Sequence, residues 1–585
     1  MPAEVSQAVR LIARTAWLSC FLVVLCACSP PAEDGMTQAE EIRQEKLFAE
    51  FEWFEYEGND PVFETEISAQ EYRNPIIAGF YPDPSVVRVG EDFYLVNSTF
   101  GFYPGIPVFH SRDLVNWTQV GNVIDRPDMM DFEGVHLSQQ GLYAPTIEFH
   151  DGLFYMANTC VACGGNFLVT ASNPAGPWSD PVWLPEIGGI DPSLFFEDGH
   201  VFILNHGHPE GPELYDGHRA IWITEVNPVN FLAISKPKML VDGGVNIDDK
   251  PIYVEGPHLY NVDGAYFLSA AEGGTEMGHS QVIFKSDDIW GPYLPWDNNP
   301  ILTQRTLPVD RPNPVNSTGH ADLFTDPAGN CWSVFLGTRT YDTVHFNTGR
   351  ETFLLPCQWQ DGWPVILGHG ETVPYTVARP SLPQASGPEK PTSGNFRIRE
   401  TFNSTLTNDW LFARIPASDW WSAGRGKLTM EARSERIGDM AQPSLIARRL
   451  QHMNMTATSA LRFTPRGHGD EAGMVAIQND AYYFTFGVGQ DQEGASVLRL
   501  RQRSGENDPL RGRVLTEELL DLESGQQVFL RIEVNADTAR FSWSRDGETF
   551  ITVHDAVDAR TLSSARAGGF VGALVGMYAE SDTLQ

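Results

Sequence analysis

Three acids in this chain share a local setting that could do chemistry. Asp83 begins Asp-Pro-Ser, Asp191 begins Asp-Pro-Ser again, and Glu255 stands in Val254-Glu-Gly-Pro-His258. An Asp before Pro also makes ordinary turns through its own side chain, so none of the three carries a function alone. Together they could. Hydrolysis of a glycosidic bond needs one carboxylic acid to protonate the leaving oxygen and one carboxylate to activate water or attack the anomeric carbon. A third acid nearby has a use as well, because a like charge raises the pKa of the group that must keep its proton near neutral pH. Such a reading requires something that brings residues 83, 191 and 255 to one place.

An internal repeat supplies it. Five segments align, beginning at Asp83, Ala144, Asp191, Gly256 and His320; two of them read Asp191-Pro-Ser-Leu-Phe-Phe-Glu-Asp-Gly-His-Val-Phe-Ile-Leu and Gly256-Pro-His-Leu-Tyr-Asn-Val-Asp-Gly-Ala-Tyr-Phe-Leu-Ser. Each predicts a strand, a tight turn and a second strand. The Asp-Gly pairs at 151–152, 198–199 and 263–264 provide the positive backbone torsions of a two-residue hairpin turn. No long amphipathic helix intervenes. The spacing suits four-stranded blades, so residues 71–378 are expected to form a five-bladed β-propeller; a large β-sandwich or β-helix is the alternative. In a propeller each innermost strand starts at the same end of the central channel. The first repeat positions, with Glu255 one step ahead of Gly256, would then converge on one mouth.

These segments carry a family resemblance. Asn74-Pro-Ile-Ile-Ala-Gly-Phe-Tyr-Pro-Asp83-Pro-Ser85, Ser111-Arg-Asp-Leu-Val-Asn-Trp117, Ile190-Asp191-Pro-Ser193, Val254-Glu255-Gly-Pro-His258, Gly319-His320-Ala321 and Gly349-Arg-Glu-Thr-Phe-Leu354, in that order, resemble glycoside hydrolase family 43. The resemblance implies an inverting, exo-acting β-xylosidase or α-L-arabinofuranosidase acting on arabinoxylan, xylo-oligosaccharides or arabinan, with no required cofactor. It makes Asp83 the general base, Glu255 the general acid and Asp191 the group that tunes and orients Glu255. His320 resembles the axial histidine at the pocket floor, which contacts an ion or its waters, so it is the metal candidate, with Ca²⁺ as the ion; a satisfied core histidine is the competing reading. Arg339, in Leu336-Gly-Thr-Arg339, resembles a substrate-contacting arginine, against which stands a structural ion pair. Sugar faces stack on aromatic rings, and Phe100, Phe102 and Tyr143 are the candidate walls. Tyr143 stands where many xylosidases of the family carry Trp, which leaves xylose against arabinose open. The alternatives are an endo-acting arabinan or xylan hydrolase, a retaining fructan-cleaving propeller, whose patterns Ile190-Asp191 and Glu255-Gly256 do not match, and a non-catalytic glycan-binding lipoprotein of the cell surface.

The rest of the chain sets the context. With 40 Lys plus Arg against 76 Asp plus Glu, its net charge is −36, which disfavours nucleic acid and anionic lipid as partners. Arg10 and Arg14 precede an apolar run from Ala16 to Ala27, the order of an export signal too short for an ordinary span. Leu25-Cys26-Ala27-Cys28 resembles a bacterial lipoprotein box, so residues 1–28 are expected as a signal peptide with Cys28 lipidated and the protein anchored at the outer membrane, on its periplasmic or surface face. Residues 29–70, rich in Glu, are expected as an acidic tether. Cys160, Cys163, Cys331 and Cys357 could pair in an oxidising compartment; Cys160-Val-Ala-Cys163 lacks the second Cys pair of a zinc site. A Pro- and Ser-rich linker at 379–396 leads to alternating strand-like runs over 397–585 that predict a β-sandwich, similar to the concanavalin-like tail of family 43 xylosidases.

Overall fold

A computed structural model describes residues 46–582 apart from Ser524. The export signal and Cys28 lie outside the described residues. Five antiparallel sheets have innermost strands Ser85–Val89, Thr146–His150, Ile190–Glu197, Glu255–Val262 and Val315–Thr325. Each inner strand touches the next, and the last touches the first, so the sheets close into the five-bladed propeller. The closure is tied by the segment before Asp83: Ile77 pairs with Thr352 of the last blade, and the Asn74 side chain brackets the backbone of Leu354 with two hydrogen bonds of 2.9 Å. Apolar faces fill the space between blades, as with Phe267, Ile283, Leu323, Phe335 and Phe353.

The three Asp-Gly pairs turn as their chemistry demands, with φ of 48° to 52° at Asp151, Asp198 and Asp263 and 81° to 84° at the following glycines. The first repeat position shows a stronger signature. Asp83, Asp191, Gly256 and His320 all have φ between 48° and 56°. In the last three blades the inner strand also slips register there, between Ile190 and Ser193, Glu255 and His258, and Gly319 and Asp322. Such a bulge re-aims a side chain at about 1–3 kcal/mol of backbone strain for a non-glycine residue. The strain therefore sits where four blades meet the mouth.

The sandwich consists of two eight-stranded sheets, and both recruit strands from outside 397–585. The expected tether is corrected here: Phe48–Gly58 is a strand lodged between Lys427–Glu431 and Asn454–Arg462. Its acids alternate with Phe51, Phe54 and Tyr56, which are fully buried, a half-buried strand pattern that the Glu content masked. Phe102–Tyr103, from a propeller loop, pairs with Phe412 and Ala413 at the edge of the other sheet. Phe102 is thus sandwich-side core, packed with Phe80, Leu137 and Leu411, rather than a sugar-stacking wall. The 379–396 segment carries no regular element and is pinned to the propeller through Ala385 to Asp113 and Ser393 to the Pro75 carbonyl. Disulfides join Cys160 to Cys163 across a hairpin turn and Cys331 to Cys357 across the last blade.

Candidate active site

The bulged strand starts open into a cavity of about 760 Å³ lined by Asp83, Asp191, Glu255, His320, His206 and Arg350, with Phe100, Tyr143 and Phe570 among its walls. Asp83 accepts hydrogen bonds from Arg350 Nη1 at 2.8 Å and Nη2 at 3.4 Å, and from Ser98 Oγ. Its carboxylate is thereby fixed in direction. His320 Nδ1 lies 3.8 Å from Asp83. The ring fits because residue 256 is glycine: a Cβ there would lie 2.6 Å from His320 Nε2, and φ of 56° is unfavourable for other residues.

Asp191 and Glu255 face His206, whose Nδ1 is 3.9 Å from the first and 4.0 Å from the second and, among the described residues, has no hydrogen-bond partner. Burial alone would push the Asp191 carboxyl up, but the imidazoles of His206 and His320 and the Gly256 N–H, 3.2 Å away, outweigh it and hold the group below the usual carboxylate range. Glu255 goes the other way. Burial first, then the charges of Asp191 and Asp83, push it well above an ordinary glutamic acid, and Arg350 offsets only part of this. The two carboxyls that face His206 are thus driven apart, Glu255 toward the neutral form and Asp191 toward the charged one.

Phe100, Tyr143 and Phe570 form one aromatic wall with ring centroids 5.1 to 5.8 Å apart, and Arg350 lies 5.8 and 5.6 Å from the Phe100 and Phe570 ring centroids. Phe570 comes from the sandwich, so the second domain completes the pocket. Burial pushes the Tyr143 phenol up to about 12, with Asp191 adding to it.

Arg339 is absent from this lining and its substrate role is corrected. It is fully buried, with Nε 2.6 Å from Glu351, Nη1 2.6 Å from Asp60 and Nη2 3.1 Å from the Gln451 carbonyl. All three guanidinium nitrogens are already engaged. The arginine that holds Asp83 is Arg350, whose only sequence signal was its place in Gly349-Arg-Glu-Thr-Phe-Leu354. His206 was missed although its strand pairs it directly with Ile190, and Phe570 had no local signal at all.

Among the described residues, Asp191, His206 and Glu255 form the group of potential ligands whose atoms approach within 4.8 Å. A cation there would compete with the neutral form of Glu255 that burial favours. Calcium prefers six to eight oxygens, and His320 offers an imidazole beside one carboxylate already taken by Arg350 and Ser98; these residues do not form a calcium cage.

Known proteins agree with this architecture. The profile "Glycosyl hydrolases family 43" matches residues 72–364, and "Beta xylosidase C-terminal Concanavalin A-like domain" matches 399–585. A non-reducing end alpha-L-arabinofuranosidase of Bacteroides ovatus is 35% identical over 88% of this chain and 92% of its own. A xylosidase/arabinosidase of Butyrivibrio fibrisolvens is 35% identical over 87% and 96%. A crystal structure of a GH43_12 protein retrieved from capybara gut metagenome superposes with a TM-score of 0.84 at 37% identity, covering 91% of this chain and 99% of that one. With its propeller, its acid mouth and these relatives, the chain belongs to glycosyl hydrolase family 43 and is a glycosidase.

Proposed function

We propose that the pocket removes a terminal xylosyl or arabinosyl unit from hemicellulose-derived glycans such as arabinoxylan, xylo-oligosaccharides or arabinan, by a single displacement with inversion. The observation that carries this reading is the divergence of the acids: Glu255 retains a proton beside two other carboxyls, while Asp83 is aimed by Arg350 and Ser98. Asp83 takes a proton from water as the water oxygen bonds to the anomeric carbon. The glycosidic C–O bond breaks, and its oxygen takes the Glu255 proton. Asp191 keeps Glu255 protonated beforehand by its charge and stabilises nothing covalent. The wall of Phe100, Tyr143 and Phe570 supports an exo mode, because it blocks continuation of a chain past the terminal sugar. The names of the xylosidase and arabinosidase relatives support the sugar class.

The test is product identification with wild-type protein on xylobiose, arabinoxylan and arabinan, with proton NMR of the first-formed anomer. Free pentose of inverted configuration is expected. Retained configuration would overturn the mechanism, and release of oligosaccharides alone would overturn the exo mode.

We further propose export and anchoring through lipidated Cys28, on the strength of Leu25-Cys26-Ala27-Cys28 after the apolar run. The two disulfides fit an oxidising compartment. Labelled palmitate incorporated into wild type and lost in Cys28→Ala is the expected result; equal labelling refutes the anchor.

A further inference from the structure

The cavity's two sides differ in how their rings are occupied. Phe100, Tyr143 and Phe570 pack on one another. Tyr253, which also lines the cavity, packs against no other ring among the described residues. It is 38% exposed, unusual for a tyrosine in a pocket unless something covers it. The fold takes trouble to hold it there. Its φ is 51°, a strained setting for an aromatic residue. Its N–H donates to the Gly217 carbonyl at 2.8 Å, and the Ile252 carbonyl accepts from Gly273 N–H at 2.8 Å. Glycines on both flanking loops make the slot: a Cβ at Gly217 would lie 2.9 Å from Ile252 and 3.5 Å from the Tyr253 ring, and one at Gly274 3.1 Å and 3.6 Å from the same two side chains.

Two further facts give the exposed ring a direction and a partner chemistry. Tyr253 precedes Glu255 by two residues, with Val254 fully buried between them as an anchor. The proton donor must point at the leaving oxygen, so the group beyond that oxygen lies on the Glu255 side of the mouth, where Tyr253 stands. The Arg219 guanidinium lies 5.5 Å from the centre of the Tyr253 ring and is itself tied to Glu213 at 2.8 Å, which also holds His208 at 2.7 Å. A cation near the ring polarises it and restrains the side chain.

We propose that Tyr253, backed by Arg219, is the platform for the leaving sugar, and that it selects leaving groups presenting a flat C–H face, such as a xylopyranosyl residue, over small alcohols. The assignment rests on the glycosidase reading above. Tyr253 acts here as a specificity-determining residue, whereas Glu255 remains the proton donor for every leaving group.

The test compares two substrates that both need the acid but differ in filling this position: xylobiose and methyl β-xyloside, with the matched arabinosides if arabinose is the sugar released. Tyr253→Ala is expected to lower kcat/KM on the disaccharide about tenfold, mainly through KM, and to leave the methyl glycoside within twofold. Tyr253→Phe should behave as wild type. Tyr253→Leu, which refills the slot between Gly217 and Gly274, gives the same comparison should the alanine variant fold poorly. Equal losses on both substrates, or a shifted basic limb of the pH profile, would mean that Tyr253 merely positions Glu255, and the platform would be refuted. No loss on either refutes it too. If wild type releases pentose from neither substrate, the sugar-releasing reading itself fails and the platform with it; a selective failure of the variants alone leaves that reading standing.

Discussion

Arg350 and Glu351 are neighbours on one strand, yet they serve two buried charge clusters of opposite character. Glu351 faces the joint between the N-terminal strand, the propeller and the sandwich. There Arg339, Asp60 and Glu351 are fully buried, and their oxygens also accept from Thr348 and from the backbone N–H groups of Gly79, Met453 and Asn454. Arg350 faces the mouth, where it pairs with Asp83 alone of the three acids, and among the described residues the His206 Nδ1 between the other two lacks a hydrogen-bond partner. The satisfied cluster locks three parts of the chain together; the unsatisfied one pushes the Glu255 carboxyl toward its neutral form. Burial is common to both, so it is the completeness of pairing that separates a structural ion network from a reactive one.

Substitutions can break or sharpen that contrast. Glu255→Gln should lower kcat/KM on a disaccharide about 10³-fold while the fold survives. A carboxyl raised in the folded state lends stability that is fully present below the unfolded pKa and is lost as pH rises through the folded value. Glu255→Gln should therefore gain melting temperature relative to wild type as pH increases, and a difference that does not change with pH would end the view of Glu255 as frustrated. Arg339→Met should cost about 3 kcal/mol in denaturant unfolding, because two buried acids lose their partner, with kcat per folded molecule changed less than threefold. If activity vanishes while stability holds, Arg339 touches substrate after all. Phe570→Ala should raise KM about tenfold by opening the wall, with little change in the basic pH limb. Smallest in magnitude, Asp191→Asn removes a like charge beside Glu255 and should move the basic limb of the kcat/KM profile down by about one pH unit; an unmoved limb would assign the raised Glu255 pKa to burial and Asp83.

Much of the site was legible because the repeat converts sequence position into angular position. Asp83, Asp191, Glu255 and His320 fall at matching points of hairpins, three of the five repeats write their turn as an Asp-Gly pair, and Tyr143 directly precedes the second repeat. Arg339 and Arg350 show where such reasoning stops. Both flank strands of the last blade, and only the identity of what surrounds each, Asp60 and Glu351 for one and Asp83 for the other, separates a joint from a mouth. Residues 48–58 failed for another reason: their glutamates match a solvated tether in composition, and their alternation gains meaning only when two sheet partners some 380 and 410 positions away are present.

By itself the sequence determined the all-β class, the blade count and the acids of the mouth, since hairpin turns and strand alternation are local and the repeat makes local order imply global closure. Tertiary structure alone decided that Phe570 reaches the pocket, that His206 stands between Asp191 and Glu255, and which arginine faces them. Those outcomes depend on packing between segments hundreds of residues apart, and the free energy of such contacts leaves no periodic trace in the chain.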